Sequence, residues 1–204
     1  MGHKDVISDW FGCLPGLQNG SMTRIIAGRL GGRRLRVPGE GTRPTSDRVR
    51  ESVFNILAAR SDLDGVWVLD LYAGSGALGL EAISRGAAGA TFVDSGRRAA
   101  ATITANVRAC GVSSNATVHT RAVSAYLAGA PERHFGLVFS DPPYDVTADR
   151  VADDLALLTT RLDDEALVVV ERSTRSGGDV WPSDYEVVVD KPYGDTRVEI
   201  ARLV

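Results

Sequence analysis

The stretch VWVLDLYAGSGALGLEA, residues 66–82, is the part of the sequence that most clearly indicates the fold. Its first part, Val66–Leu71, is a short apolar run with β-branched residues, which is typical of a buried strand. Asp70 stands at the end of that strand, the residues AGSG form a turn without bulky side chains, and Ala77–Ser84 has the pattern of a helix. Glycine lets the backbone approach a ligand closely, and a helix N-terminus offers free N–H groups. The stretch therefore predicts a nucleotide-binding corner.

The glycines of this corner are compatible with a pyrophosphate, with a cationic ligand or with no ligand. Gly74, Gly76 and Gly79 have the spacing G-x-G-x-x-G, which also occurs in tight turns that bind nothing. Asp70 favours a cationic ligand, because a carboxylate repels a pyrophosphate and attracts an ammonium or a sulfonium group. The segment DLYAGSG, residues 70–76, resembles the first motif of class I S-adenosylmethionine-dependent methyltransferases. The resemblance implies that S-adenosylmethionine is the cofactor, bound at Asp70, Tyr72, Gly74 and Gly76.

Strand and helix patterns alternate after residue 66, which predicts a parallel sheet covered on both faces. We predict strands over 66–71, 90–94, 116–120, 135–140 and 166–171, and helices over 77–85, 96–109, 122–128 and 147–160. Two alternating runs, 185–190 and 197–204, flank the residues PYGD and indicate a final antiparallel hairpin. The expected fold is α/β, with a Rossmann-like sheet of about seven strands similar to that of class I methyltransferases.

The N-terminal part of the chain differs from this pattern. Residues 1–21 end in Gly-Ser before Met22, so we interpret them as a tag or an extension. Two extended runs, 23–30 and 33–37, flank Gly31-Gly32 and predict a β-hairpin, and a helix is expected from Thr45 or Ser46 to about Arg60. The expected division is an N-terminal hairpin and helix over 22–60 and a methyltransferase domain over 61–204.

The segment from Met22 to Arg50 is strongly basic. It contains eight arginines against Glu40 and Asp47, whereas the whole chain has a net charge of -3. A basic segment on an acidic body indicates a polyanionic partner, although a solvated charged face is the alternative. We expect RNA binding by Arg33, Arg34, Arg36, Arg43 and Arg48.

Other features limit the class of protein. The two cysteines, Cys13 and Cys110, form no metal-binding pattern, the apolar runs are only strand-length, and residues 1–21 lack the pattern of a signal peptide. We therefore expect a cytoplasmic protein that neither contains a metal nor enters a membrane, and we expect a monomer.

The next two strands also end in residues that suit a nucleoside. Asp94 ends the second predicted strand, about 20 residues beyond the glycine turn. A carboxylate at this position can accept hydrogen bonds from the ribose hydroxyls. Capping of the following helix is the alternative role. The segment TRAV at 120–123 lacks the acidic residue that many class I enzymes place near adenine, so Ala122 would contact adenine through its backbone and apolar packing.

The segment SDPPY, residues 140–144, closes the fourth predicted strand at the same crevice. Two successive prolines fix the backbone and remove two N–H donors, which leaves carbonyl acceptors beside the Asp141 carboxylate. With Ser140 expected at the cofactor, this set suits a planar base that has an exocyclic amino group. The D-P-P-Y motif resembles the catalytic motif of methyltransferases that act on such nitrogens. The resemblance implies that Asp141 and Pro142 orient the amine and that Tyr144 stacks on the base.

Three further segments resemble one family, the RsmD family of 16S rRNA guanine-N2 methyltransferases. They are RIIAGRLGGRRL at 24–35, TRPTSDRVRESVFN at 42–55 and KPYGDTR at 191–197. The resemblance covers nearly all of the chain after residue 21 and implies methylation of one guanine of small-subunit rRNA, in an assembled or nearly assembled subunit. One departure is Asp94, because a glutamate is common there in class I enzymes.

Three alternatives compete with this interpretation. A DNA or RNA adenine-N6 methyltransferase shares D-P-P-Y, but the chain shows no added target-recognition domain. Methyltransferases of protein glutamine more usually have a motif that begins N-P-P. An RNA-binding ribosome assembly factor with a silent methyltransferase core is disfavoured by the intact motifs at Asp70, Gly74, Gly76 and Asp141.

Overall fold

The computed structural model describes residues 22–39, 46–129 and 133–204. The proposed tag or extension and Arg43 lie outside these ranges. The strands are β1 (Met22–Arg24), β2 (Arg34–Arg36), β3 (Trp67–Leu71), β4 (Gly89–Asp94), β5 (Ala116–Thr120), β6 (Phe135–Ser140), β7 (Leu162–Ser173), β8 (Tyr185–Tyr193) and β9 (Thr196–Leu203). The helices are α1 (Asp47–Ala58), α2 (Ala77–Ser84), α3 (Arg97–Cys110), α4 (Val123–Leu127) and α5 (Ala148–Leu158).

Seven strands form one sheet in the order β5-β4-β3-β6-β7-β9-β8. The first five are parallel, and β9 is antiparallel to both β7 and β8. The predicted α/β fold with a final antiparallel hairpin is confirmed. The chain moves outward from β3 to β5 and then returns to β6, so the order of strands reverses between β3 and β6. Ligands of open α/β sheets bind at the carboxyl ends of the strands beside such a reversal.

Alternate side chains of the central strands enter two apolar layers. Val68, Phe139 and Val169 pack on the face that also receives α1, α2 and α3. Their neighbours Leu69, Val138 and Val168 pack on the opposite face, with α4 and α5. Because each strand is buried on both faces, it has the continuous apolar pattern from which its position was predicted.

The boundaries of two strands differ from the prediction. β7 begins at Leu162, four residues before the predicted start, because it continues along β6 past a register shift between Phe135 and Leu137. β8 continues to Tyr193, so the connection to β9 contains only Gly194 and Asp195. Gly194 has φ 63°, and this conformation makes so tight a turn possible.

The N-terminal hairpin has shorter strands than predicted. β1 and β2 pair over three residues each, and the predicted strand over residues 26–30 is wrong. The backbone there takes its partners from α2. The Glu81 carboxylate accepts hydrogen bonds from the N–H groups of Ile26 (2.7 Å) and Ala27 (3.0 Å), and Ser84 Oγ accepts one from Leu30 (3.0 Å).

Two observations on residues 22–39, 46–129 and 133–204 concern membranes and metals. None of the helices there is long and apolar enough to cross a membrane. The same residues contain no group of three or more His, Cys, Asp or Glu side chains that could hold a metal ion.

Candidate active site

A cavity of about 740 Å³ lies at the carboxyl ends of the central strands. Its wall combines the turn after β3, the ends of β4 and β7, and the segment after β6. The first residues of α1 and the tip of the β8–β9 hairpin also contribute to it. Of the residues predicted to bind cofactor or substrate, the wall contains Asp70, Tyr72, Gly74, Asp94, Ala122, Asp141, Pro142 and Tyr144.

Two predicted residues are not in this wall. The described residues that form it do not include Gly76 or Ser140. Gly76 caps α2 with φ 75°, and a Cβ at this position would lie 3.2 Å from Phe92 Cε1. Ser140 is buried at the last position of β6. Both residues therefore shape the backbone around the cavity.

Asp70 is a buried carboxylic acid at the floor of the cavity. It is 1% exposed, and its Oδ2 accepts a hydrogen bond from the N–H of Gly79 at 2.9 Å. Burial raises the pKa of Asp70 to about 8, against the effect of the Gly79 hydrogen bond and with a further contribution from Asp141 and Asp94. Removal of water from a carboxylate disfavours its charged form, and nearby negative charges act in the same direction. A cationic ligand in the cavity would reverse this penalty.

Asp94 fixes the glycine turn to the end of β4. Its Oδ2 accepts from the N–H of Gly74 at 2.9 Å, and its Oδ1 accepts from the N–H of Gly96 at 2.7 Å. The N-cap of α3 is Gly96, so the alternative role of Asp94 as the cap of that helix is wrong. Each carboxylate oxygen can accept more than one hydrogen bond, so Asp94 retains capacity for the hydroxyls of a ribose.

Tyr72 connects the glycine turn to α5, which packs on the face of the sheet opposite to α2. Its φ is 55°, which is uncommon for a residue with a bulky side chain. Its Oη donates a hydrogen bond to Asp154 Oδ2 on α5 at 2.7 Å, and burial raises the pKa of Tyr72 above its usual range. This hydrogen bond offsets the strain of the backbone, and the sequence contained no signal for it.

The segment after β6 forms another part of the cavity wall. Asp141, Pro142, Pro143 and Tyr144 all contribute to it, and Tyr144 is 62% exposed, an unusual position for a large aromatic ring. The N–H of Val146 donates to the Pro143 carbonyl at 3.0 Å and so closes the turn. The arrangement presents an aromatic face and acceptor oxygens within one cavity.

The wall also contains residues that were not predicted as site residues, among them Glu171, Tyr193 and Thr196. Glu171 follows the apolar run LVVV at the end of a parallel strand, which is the same signal that identified Asp70 and Asp94. Tyr193 and Thr196 lie in the segment KPYGDTR, from which the sequence analysis inferred a resemblance to the RsmD family but no site residue. Tyr193 Oη and Ser52 Oγ are 2.6 Å apart, so the tip of the C-terminal hairpin contacts α1.

The described arginines of the basic segment separate into exposed and buried side chains. Arg33, Arg34, Arg36 and Arg48 are exposed. Arg50 is 1% exposed and donates to the Arg24 carbonyl and to Asp47 Oδ1, so this arginine adds no charge to the exposed basic surface. It is buried because its guanidinium joins β1 to α1.

The sheet order, the glycine turn with its acidic neighbours and the D-P-P-Y segment define a class I methyltransferase, an enzyme that takes its methyl group from S-adenosylmethionine. The family model described as Conserved hypothetical protein 95 matches residues 23–202. The chain belongs to this family, which is the RsmD family that the sequence motifs resemble.

Individual relatives agree with this assignment. The chain is 37% identical over 189 residues to the ribosomal RNA small subunit methyltransferase D of Escherichia coli K12, which covers 91% of this chain and 92% of the relative. A Haemophilus influenzae protein of the same name is 34% identical over 174 residues, or 84% of this chain and 89% of the relative. Among solved structures, that of the E. coli protein yhhF superposes with a TM-score of 0.78 at 35% identity, over 90% of this chain and 98% of that one.

The cavity fits S-adenosylmethionine in both size and charge. Its volume suits a nucleoside that carries an amino acid, and small residues at 73–75 leave the turn open to close approach. The acidic Asp70 and Asp94 suit an ammonium and ribose hydroxyls, respectively, and they do not suit phosphates. Asp70, Tyr72, Gly74, Asp94 and Ala122 are therefore the residues that would hold the cofactor.

Proposed function

We propose that the chain transfers a methyl group from S-adenosylmethionine to the exocyclic N2 of a guanine in 16S rRNA of the small ribosomal subunit. The observation that supports this most is that D-P-P-Y and the glycine turn border one cavity. The resemblance to the RsmD family indicates the target atom, N2 of guanine. The name of the E. coli relative, ribosomal RNA small subunit methyltransferase D, adds the class of RNA.

Asp141 and Pro142 orient the amino group in this proposal. The lone pair of an amine on a purine ring is delocalised, so the nitrogen is a poor nucleophile. Hydrogen bonds from its two protons to the Asp141 carboxylate and the Pro142 carbonyl favour a pyramidal nitrogen with a directed lone pair. Asp141 also stabilises positive charge as it develops on the nitrogen, and its carboxylate or water accepts the released proton.

The remaining residues of the wall position the two reactants. Bound S-adenosylmethionine supplies an electrophilic methyl group on a sulfonium centre. Asp94 and the glycine turn hold the nucleoside end of the cofactor, and Asp70 holds its amino-acid end. Tyr144 offers its exposed ring to the base after the base leaves its helix.

The N-terminal segment, residues 22–60, is proposed as the surface that docks the RNA. On β1 and β2, Arg24 lies directly opposite Arg34, and Arg36 is exposed beside them. Like charges opposite each other destabilise a hairpin, so a polyanionic partner explains their presence. Asp47, 3.6 Å from Arg24, offsets this repulsion only in part. We propose that Arg33, Arg34, Arg36, Arg43 and Arg48 bind the RNA, and that the protein acts in the cytoplasm as a monomer.

Transfer of labelled methyl groups tests the function. The protein is incubated with methyl-labelled S-adenosylmethionine and small ribosomal subunits, naked 16S rRNA, DNA or protein in parallel. We expect label in the rRNA of the subunits, recovered as N2-methylguanosine after digestion. Recovery as N6-methyladenosine, or label in DNA or protein, would indicate one of the alternative methyltransferases. Binding of subunits without transfer would indicate an assembly factor.

Substitutions of Asp141 test the assigned chemistry in the same assay. Asp141→Asn retains one acceptor oxygen but not the charge, and Asp141→Ala removes both, so single-turnover rates should fall in that order. The loss in Asp141→Ala should be on the order of 10²–10³. Cofactor affinity should stay within a few-fold in each case. Asp145→Ala, an exposed change four residues away, is the control that should keep the wild-type rate. An unchanged rate in Asp141→Ala would refute the assignment.

A further inference from the structure

Acidic residues stand at the carboxyl ends of four neighbouring strands. In the order of the sheet they are Asp94 on β4, Asp70 on β3, Asp141 after β6 and Glu171 on β7. The proposed function uses the first three. Glu171 also lines the cavity, as the only member of this row that has no role in the mechanism above.

The register of the sheet places Glu171 beside Asp141. Ser140 on β6 pairs with Val170 on β7, so the next residues along these parallel strands are Asp141 and Glu171. Glu171 also pairs with Val198 on β9, and this connects it to the hairpin that brings Thr196 and Tyr193 to the cavity. Neighbouring strands are about 4.8 Å apart, which is close enough for two carboxylates to contact one base.

Alternation along the strands places Asp70 and Glu171 on the same face of the sheet, and Asp141, which directly follows β6, lines the same cavity. Phe139 and Val169, two positions before Asp141 and Glu171, both pack in the apolar layer under α1 and α2. Val68, two positions before Asp70, belongs to the same layer. The cavity therefore has a cofactor side at β3 and β4 and a base side at β6, β7 and β9.

Guanine carries two neighbouring donors on one edge. Its exocyclic amino group is next to the ring N1–H, so a site that accepts both needs two acceptors side by side. Adenine and 2-aminopurine have an unprotonated N1, whose lone pair a carboxylate repels. A buried or half-buried group that is built to accept a hydrogen bond discriminates strongly against an analogue without the donor.

We propose that Glu171 accepts a hydrogen bond from the N1–H of the target guanine and thereby selects guanine over purines that lack this proton. This inference rests on the proposed function, because it assumes that Asp141 and Pro142 bind the amino group of the same base. Asp141 orients the reacting nitrogen, and Glu171 recognises the ring. Division of these tasks between two strands gives the base one orientation in its plane.

Small subunits reconstituted with a modified rRNA test this role. At the nucleotide that the wild type methylates, one preparation carries guanine and the other carries 2-aminopurine, which retains the amino group but has no N1–H. The wild type should methylate guanine faster by about 10- to 100-fold, the effect of one hydrogen bond to a charged group. In Glu171→Gln the rate with guanine should fall by a similar factor. The preference for guanine should also shrink, because an amide can donate to the unprotonated N1.

Three controls separate recognition from a structural role. Glu171→Asp, with a shorter carboxylate, should keep the preference for guanine at a reduced rate. Glu186→Gln removes the same charge from an exposed position on β8, where Glu186 pairs with Arg202, and should behave as the wild type. Calorimetry should give Glu171→Gln the cofactor affinity of the wild type within a few-fold.

Two outcomes would overturn the inference, and they are distinguishable. A wild type that makes N2-methylguanosine while Glu171→Gln keeps the full preference for guanine would remove the role of Glu171 and leave the proposed function intact. A wild type that makes no N2-methylguanosine on small subunits would remove the proposed function and the inference with it.

Discussion

At the scale of single residues, Asp70 and Asp94 have opposite surroundings although both are acidic and line one cavity. Asp94 accepts two backbone hydrogen bonds, whereas Asp70 is 1% exposed and accepts one, from Gly79 at 2.9 Å. Hydrogen bonds favour a carboxylate and burial disfavours it. The two residues are therefore suited to different tasks, Asp94 to neutral hydroxyls and Asp70 to a cation.

The raised pKa of Asp70 predicts how the stability of the protein depends on pH. Between the ordinary pKa of 3.8 and the folded value of about 8, the unfolded chain loses this proton and the folded chain keeps it. The contribution of Asp70 to the free energy of unfolding is therefore fully present below pH 3.8 and is lost as the pH rises to about 8.

Asp70→Asn cannot titrate, so its stability relative to the wild type should increase over that range, by at most about 1.4 kcal/mol per pH unit. The measurement is urea unfolding of both proteins at pH 4, 6 and 8. Two stability profiles that stay parallel would show that Asp70 has an ordinary pKa.

At the scale of elements, β2 combines packing with charge in three residues. Leu35 is fully buried, whereas its neighbours Arg34 and Arg36 are exposed. The strand alternation thus attaches the hairpin to the body and turns two arginines outward. One face of β2 therefore packs against the body, and the other face is available to bind a polyanion.

The double variant Arg34→Ala and Arg36→Ala should weaken binding to small subunits and reduce its salt dependence. Two fewer phosphate contacts should lower the slope of log affinity against log salt by about 1.4 to 1.8. Cofactor affinity should not change. The matched control is Arg175→Ala with Arg202→Ala, which removes two arginines that lie outside residues 22–60. Equal salt slopes in the two double variants would contradict the assignment of the hairpin.

At the scale of the whole molecule, the N-terminal segment and the methyltransferase sheet share one apolar layer. Ile25, Leu35 and Phe54 pack in the same cluster as Leu80 and Ile83 of α2. The buried Glu81 connects the two parts, because its carboxylate accepts from Ile26, Ala27 and Arg85 Nε, the last at 2.7 Å. The hairpin that presents the arginines is therefore held in place by the helix that follows the glycine turn.

Glu81→Ala should loosen the hairpin from the body. It leaves two backbone donors and Arg85 without their acceptor, so the free energy of unfolding should fall by about 2–4 kcal/mol. Amide exchange at Ile26 and Ala27 should become faster. Glu51→Ala, an exposed change on α1, should alter stability by less than about 0.5 kcal/mol. If Glu81→Ala is as stable as this control, the carboxylate does not hold the hairpin.

The sequence by itself determined the fold class, the glycine turn and the D-P-P-Y segment. Buried parallel strands need continuous apolar runs, a turn near a ligand needs small residues, and two prolines fix a backbone locally. Each of these requirements acts on residues close together in the chain. The order and type of the elements were therefore predictable, and the boundaries moved mainly where pairing continued past a register shift or a tight turn.

The tertiary structure alone decided which distant residues meet. Tyr72 binds Asp154 across 82 positions, and Glu81 binds Ile26 across 55, so no local pattern marks either pair. Arg50 has the same charge as its exposed neighbours and is buried because β1 lies against α1. Glu171 becomes a neighbour of Asp141 only through the pairing of β6 with β7. Contacts of this kind depend on the order and register of the sheet, which are set by the packing of the whole chain.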